Sequence, residues 1–251
     1  MTITPPSLPT SNSSTPASAS GVTAPTARAA RDEWLLLRSG MLVGATYLIA
    51  TAFTIYFFAT SHPSMEATPV EAAVGFRDAG GMYAIGTFLT LLPLPFALLF
   101  LGGLDTVLRR TAGGPLVPAA ISAGVLAFLI PAIGTLVSAV VPAIGAADTT
   151  SAAGAVVKAI DGVMPLSVAL NGFPRAVMLI AVVVLLRRAL LAGRGLAISG
   201  IVIAIIGLAG TGTFLVQPLF PIATLSAMLF VGWLTVLSVV LPRRATARLT
   251  A

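Results

Sequence analysis

Arg175, an arginine inside an apolar segment, is the residue best suited by type and position to bind an anion. Arg175 lies 11 residues before Leu186, which closes the apolar run, and this spacing corresponds to about 16 Å along a helix. That depth is close to the middle of a hydrocarbon core about 30 Å thick. A charge there costs about 2.5–3.5 kcal/mol even on the lenient insertion scale, and such side chains usually face the protein interior. Arg175 is therefore predicted to be buried.

The neighbours of Arg175 supply further polar groups. Asn171 lies four residues earlier, on the same helical face, and Pro174 frees a backbone carbonyl one turn earlier. A guanidinium can hold a carboxylate or phosphate through two parallel hydrogen bonds. Arg175 and Asn171, with Gln217 near the end of the fifth apolar run, are the candidate residues for binding an anionic small molecule or lipid headgroup.

Two alternatives to a binding role remain open. If Pro174 begins the helix, Arg175 lies near the membrane surface and extends toward the headgroups. If Arg175 is buried, it can simply tie helices together through Asn171, backbone carbonyls or an acidic partner. Asp161 and Asp78 are the nearest acidic residues by depth.

Other chemistry-bearing patterns are missing from the sequence. The chain has no cysteine and one histidine, His62, which excludes thiolate zinc sites, iron–sulfur clusters and a two-histidine metal site within one chain. There is no Gly-x-Ser-x-Gly, no phosphate-binding Gly-Lys-[Ser/Thr] loop and no aspartate cluster for magnesium. We therefore predict no catalytic residue, no metal and no cofactor. The absence of an acid or histidine within a span also disfavours proton-coupled transport.

The apolar composition determines the fold class. The chain is 57% hydrophobic and 9% charged, whereas soluble domains are about 25% charged, so the surplus apolar surface must face lipid. Six runs reach the roughly 20 residues needed to cross a bilayer, at residues 39–60, 82–104, 116–141, 166–186, 196–216 and 222–241. Because these runs are continuously apolar, they predict helices rather than barrel strands. The expected fold is an all-α polytopic bundle with six transmembrane helices.

The basic residues predict the orientation. Eleven of the 14 flank the runs on the side of the two termini, and the other three are Arg77, Lys158 and Arg175. Since cytoplasmic loops are enriched in basic residues, both termini are predicted to be cytoplasmic. Abundant alanine and arginine indicate a GC-rich genome, so a bacterial cytoplasmic membrane is the expected location. The net charge of +6 comes from these flanking groups, and no nucleic-acid partner is predicted.

The segments outside the runs complete the predicted organisation. Residues 1–32 are rich in Ser, Thr, Pro and Ala and are predicted to be a disordered cytoplasmic tail. Their similarity to a transit peptide in composition leaves a plastid membrane as the alternative location. Residues 33–244 form the six-span domain, and residues 245–251 form a short basic cytoplasmic tail.

Both longer loops lie opposite the termini, and each carries a helical pattern. The loop at 61–81 contains Thr68-Pro69-Val70-Glu71, which predicts a capped helix start, with Val70, Val74 and Arg77 along one stripe. The loop at 146–165 contains a second short pattern that Gly162 is expected to end. These helices are predicted to lie at the membrane interface or to cover a cavity.

Prolines within the spans leave open a cavity between the helices. Pro93, Pro95 and Pro131 each remove a helix hydrogen bond and favour a kink, and kinked helices around a buried arginine can enclose a ligand site near the midplane. Candidate lining residues are Thr87, Thr90, Thr135, Ser138, Thr211, Thr213 and Gln217. For most of these small and hydroxyl residues, helix packing is the favoured role and cavity lining is the alternative.

Three hypotheses for function follow. Because catalytic and energy-coupling groups are lacking, the leading hypothesis is a non-enzymatic structural component of the membrane or a partner subunit, in a complex with another membrane protein or as a homo-oligomer. The second is a passive carrier or binding protein for an anionic small molecule or lipid headgroup at Arg175 and Asn171. A lipid-modifying enzyme is the least favoured.

Overall fold

Helices dominate the part of the chain that the structure describes. The computed structural model describes residues 27–64, 66–216 and 219–249, with side chains between residues 32 and 244. These residues form eleven α-helices and a 3₁₀ turn at Gly212–Phe214, and no strand occurs among them. The helices are α1 (Ala27–Thr60), α2 (Pro69–Asp78), α3 (Gly80–Leu91), α4 (Pro93–Thr111), α5 (Leu116–Ser138), α6 (Val141–Ala147), α7 (Ser151–Asp161), α8 (Val163–Leu170), α9 (Gly172–Arg188), α10 (Arg194–Thr211) and α11 (Phe220–Leu249).

Six helical segments are long and apolar enough to cross a membrane. They are Asp32–Thr60, Gly80–Thr111, Leu116–Ala147, Ser151–Arg188, Arg194–Phe214 and Phe220–Arg244. Large apolar side chains on their outer faces are exposed, among them Leu48, Phe88 and Ile205, as expected for a surface that contacts lipid. The prediction of an all-α six-span bundle is confirmed, and the protein is a multi-pass membrane protein.

Three spans are interrupted, namely the second, the third (between α5 and α6) and the fourth. The second span is divided at Leu92, directly before Pro93. Leu92 itself keeps helical backbone angles, and the break follows from Pro93 and Pro95, which have no N–H to donate to the carbonyls four residues earlier. The fourth span is a long rod of α7, α8 and α9. Gly162 ends α7 as predicted, but its backbone angles are those of a right-handed helix. The next helix, α8, therefore starts directly after it, and the span begins well before the predicted residue 166.

Both predicted tails are partly helical. Helix α1 begins at Ala27, so residues 27–32 belong to a helix rather than to the predicted disordered tail; residues 1–26 of that tail lie outside the described residues. Helix α11 continues to Leu249, into the predicted basic tail. Each terminal helix therefore extends one or two turns beyond the predicted bounds of the six-span domain.

The arginine-rich end of the bundle, defined here by Arg109, Arg110 and Arg244, joins several helix ends. Arg110 pairs with Glu33 of α1 at 2.9 Å, and Arg244 of α11 donates to the carbonyl of Leu191, between α9 and α10, at 2.8 Å. The opposite end is built by α2, α6 and α7. These arginines therefore lie at one end of the bundle, and the predicted orientation places that end on the cytoplasmic side of the membrane.

Helix α2 begins as predicted. The N–H of Thr68 donates to the Glu71 carboxylate at 2.8 Å, and the N–H of Glu71 donates to the Thr68 hydroxyl at 3.4 Å; the bonds that Thr68 donates lower the pKa of the Glu71 carboxyl. The packed face differs from the predicted stripe, because Ala72 and Phe76 are buried while Val70 is exposed. Helix α2 packs on α6 and α7 by this other face.

Close backbone approach between α9 and α10 requires glycine. A Cβ added at Gly172 would overlap the carbonyl oxygen of Gly207 and lie 2.6 Å from Cγ2 of Thr211. We expect Gly172→Ala to lower the free energy of unfolding by about 1–3 kcal/mol, because helix backbones must shift. Gly232→Ala is the matched control, since nothing lies within 4 Å of the added carbon, and it should gain up to about 1 kcal/mol. Equal effects in a thermal unfolding assay would contradict this packing.

Candidate functional site

A cavity of about 1410 Å³ occupies the half of the bundle away from the arginine-rich end. More than half of its lining residues come from three segments, residues 47–59 of α1, 164–168 of α8 and 220–228 of α11. Most of the lining side chains are apolar or carry a hydroxyl group. Ligand pockets usually measure about 300–1,000 Å³, so this space is large enough for a lipid-like molecule.

Some of the residues predicted to line a cavity do line this one. Thr90, Thr135, Thr213 and Pro131 are part of its wall. The hydroxyls of Thr135 and Thr213 donate to backbone carbonyls of their own turns, at 2.9 Å and 2.7 Å, so they leave the wall largely apolar. Three predicted residues are not among the lining residues, namely Thr87, Ser138 and Thr211. Gln217 lies outside the described residues.

Arg175 is buried, as its distance from the end of the apolar run predicts. It is 2% exposed and lies in α9, which follows α8 after a single residue, so a helix start at Pro174 with Arg175 near the surface is not what the chain forms. Its Nη2 donates to the carbonyl of Val168 at 2.7 Å, and its Nη1 lies 3.5 Å from the carbonyl oxygen of Ala223 and from the Ser226 hydroxyl. Arg175 therefore links α9 to α8 and α11.

Asn171 is also buried and bound to the protein. It is 4% exposed, and its Nδ2 donates to the carbonyl of Ala127 in α5 at 2.7 Å. Within the described part of the chain, no carboxylate pairs with Arg175, and the Nε of Arg175 and the Oδ1 of Asn171 have no partner. Neither residue is among those lining the cavity. Their role in ligand binding stays a prediction.

A second polar cluster, which the sequence did not predict, lies at the end of the cavity nearest α2 and α7. His62 follows α1, Asp161 ends α7, and Tyr83 belongs to α3. The Nε2 of His62 lies 3.2 Å from Oδ2 of Asp161, and the Tyr83 hydroxyl donates to Oδ1 of the same carboxyl group. The other ring nitrogen of His62, Nδ1, lies 2.7 Å from the carbonyl oxygen of Pro63.

Aromatic rings enclose this histidine. The His62 ring stacks on Phe58 with centroids 4.3 Å apart, and Phe57 and Phe76 approach it edge to face at 5.6 Å and 5.2 Å. Nearby, Lys158 donates to the carbonyl of Ala67 at 2.8 Å. His62, Asp161 and Lys158 all line the cavity, which gives it a polar end and apolar walls.

Neither the cluster nor the comparisons point to a known chemistry. Among the residues that the structure describes, no group of three or more His, Asp or Glu side chains is placed to hold a metal ion. The sequence matches no protein-family model, no curated protein and no solved structure. The function is therefore argued from the geometry of the cavity and its polar end.

Proposed function

We propose that the protein is a non-enzymatic binding protein or passive carrier for a membrane lipid or lipid-like amphiphile. The observation that carries this proposal is the cavity of about 1410 Å³ with one polar end at His62, Asp161 and Lys158. An amphiphile would place its apolar part between α1, α8 and α11 and its polar group at that end. Because a lipid in the bilayer is already out of water, burying its apolar part in the cavity gains no hydrophobic free energy. The shape of the cavity and its hydrogen bonds therefore set the affinity.

The location of the cavity supports lipid as the ligand class. All six membrane-spanning segments contribute lining residues, and several of these are apolar and exposed, such as Ile55 and Leu166. We propose that a lipid enters this apolar lining from the surrounding bilayer. The hypothesis of a structural component or partner subunit requires no such internal space, and it stays a prediction.

The proposal is tested by native mass spectrometry of the protein extracted in a mild detergent. We expect one lipid retained for each chain, with a narrow range of lipid masses, under conditions that strip lipids from the outer surface. A protein that carries no lipid, or a variable number without preference, would contradict the proposal. A stoichiometric second protein in place of a lipid would favour the partner-subunit hypothesis instead.

A further inference from the structure

The hydrogen bonds around His62 show where its protons must lie. A backbone carbonyl only accepts, so Nδ1, 2.7 Å from the Pro63 carbonyl oxygen, carries a proton. A neutral imidazole then has only a lone pair on Nε2, yet Nε2 faces Oδ2 of Asp161 at 3.2 Å. An unprotonated nitrogen and a carboxylate oxygen would repel at this distance. One more proton must therefore lie between the two side chains.

Tyr83 indicates on which side chain that proton resides. Its hydroxyl donates to Oδ1 of Asp161, and a hydrogen bond donated to a carboxylate favours the charged form. The proton therefore belongs on Nε2, so that His62 is an imidazolium with two donated bonds and Asp161 is a carboxylate with two accepted bonds. A neutral pair with the proton on Asp161 would make the same contacts, and the bond donated by Tyr83 favours the charged pair over it.

We propose that His62 and Asp161 form a proton-binding site whose occupancy holds the polar end of the cavity closed. His62 directly follows the α1 wall, and Asp161 precedes the α8 wall by a single residue, so their bond joins two sides of the cavity. Loss of the shared proton turns this attraction into repulsion and lets the walls separate. The effect on entry rests on the proposed lipid-binding function, whereas the proton site itself does not.

The other charged groups of the neighbouring helices make bonds of their own. From α7, the Lys158 ammonium donates to a backbone carbonyl. From α2, Glu71 is bound to the Thr68 backbone and hydroxyl, and Arg77 pairs with Asp78 at the surface at 2.9 Å. The sequence holds one histidine, and histidine is the side chain that ordinarily titrates between about pH 5 and pH 8.

The single histidine makes the proton site directly measurable. In protein labelled with ¹⁵N-histidine and placed in lipid nanodiscs, NMR should show both His62 nitrogens protonated at neutral pH. In Asp161→Asn, the new amide can donate to Nε2 while its oxygen accepts from Tyr83, so a neutral ring protonated only at Nδ1 is expected. Asp78→Asn makes the same chemical change on the surface of α2 and should resemble the wild type. A neutral His62 ring in the wild type at neutral pH would overturn the proposal.

The gating effect is measured through a thiol placed in the cavity. The chain has no cysteine, so Thr54→Cys, on the α1 wall, is labelled alone by an uncharged maleimide. At each pH, the labelling rate of Thr54→Cys is divided by the labelling rate of the double variant Thr54→Cys/Asp161→Asn. This ratio cancels the effect of pH on the ionisation of the thiol, which both variants share. This ratio should rise as pH increases, by up to about tenfold per pH unit for one linked proton.

The outcomes separate the two proposals. If NMR shows the imidazolium but the ratio of labelling rates does not change with pH, the proposal that this proton site controls entry to the cavity is wrong. An imidazolium with the expected rise in labelling, found in a protein that retains no lipid, would support the proton site and contradict the lipid-binding function alone. Asp78→Asn, again the control, should leave the pH dependence of labelling as in the wild type.

Discussion

Arg175→Ala is expected to lower the free energy of unfolding by about 2–5 kcal/mol, the range for large-to-small replacements at buried sites. The guanidinium donates to Val168 of α8 and approaches Ala223 and Ser226 of α11, so its removal leaves a void and unties three helices. Thermal unfolding in detergent, followed by near-ultraviolet circular dichroism, measures the loss. Arg187→Ala is the control on the same helix, because Arg187 is exposed, and it should change stability by no more than about 0.5 kcal/mol.

Arg175→Lys separates the two roles considered for this residue. Lysine keeps the charge but lacks the planar fork that spans two acceptors, so as a structural tie it should lose part of the stability that Arg175→Ala loses. Lipid retention in the native mass spectrum should then fall only as far as stability does. A variant with wild-type stability and no bound ligand would instead show that Arg175 binds the ligand, as the midplane hypothesis predicts.

Features set by composition or by neighbouring residues could be predicted from the sequence. The six spans follow from the length of each apolar run, and the burial of Arg175 follows from the 11 residues that separate it from Leu186. The start of α2 was also predictable, because Thr68 and Glu71 satisfy each other within one helical turn. In each case the interaction is local or the lipid environment imposes it, so no knowledge of packing was needed.

The polar end of the cavity depends on packing and was not predictable. His62 and Asp161 are 99 residues apart, and Tyr83 and Asp161 are 78 apart; they meet only because α2, α3 and α7 pack together beyond the first span. The sequence offered one signal, since His62 and Asp161 both lie in loops on the same side of the membrane. The contact of Phe76 with His62 was not predictable, because the predicted apolar stripe of α2 ran through Val70 and not through Phe76.

Filling the cavity is expected to abolish lipid retention while leaving the fold intact. Thr54 on α1 and Ala227 on α11 both line the cavity, and replacing both by tryptophan would place two large rings in the space proposed for the ligand. We expect the apparent affinity for the retained lipid to fall at least about tenfold, which corresponds to about 1.4 kcal/mol. Because the rings occupy existing space and displace no packed side chain, the unfolding temperature should stay close to that of the wild type.

Leu225→Trp supplies the control, because Leu225 lies on the same helix as Ala227 but is 49% exposed and is not among the residues that line the cavity. It adds the same aromatic group to the outer surface, so it should leave lipid retention unchanged if the bound molecule occupies the cavity. Equal retention in the Thr54→Trp/Ala227→Trp variant and in the wild type would place the lipid on the outer surface and contradict the internal site. Loss of retention in both variants would show that tryptophan on α11 disturbs the helix itself, and the cavity would then lose its support as the binding site.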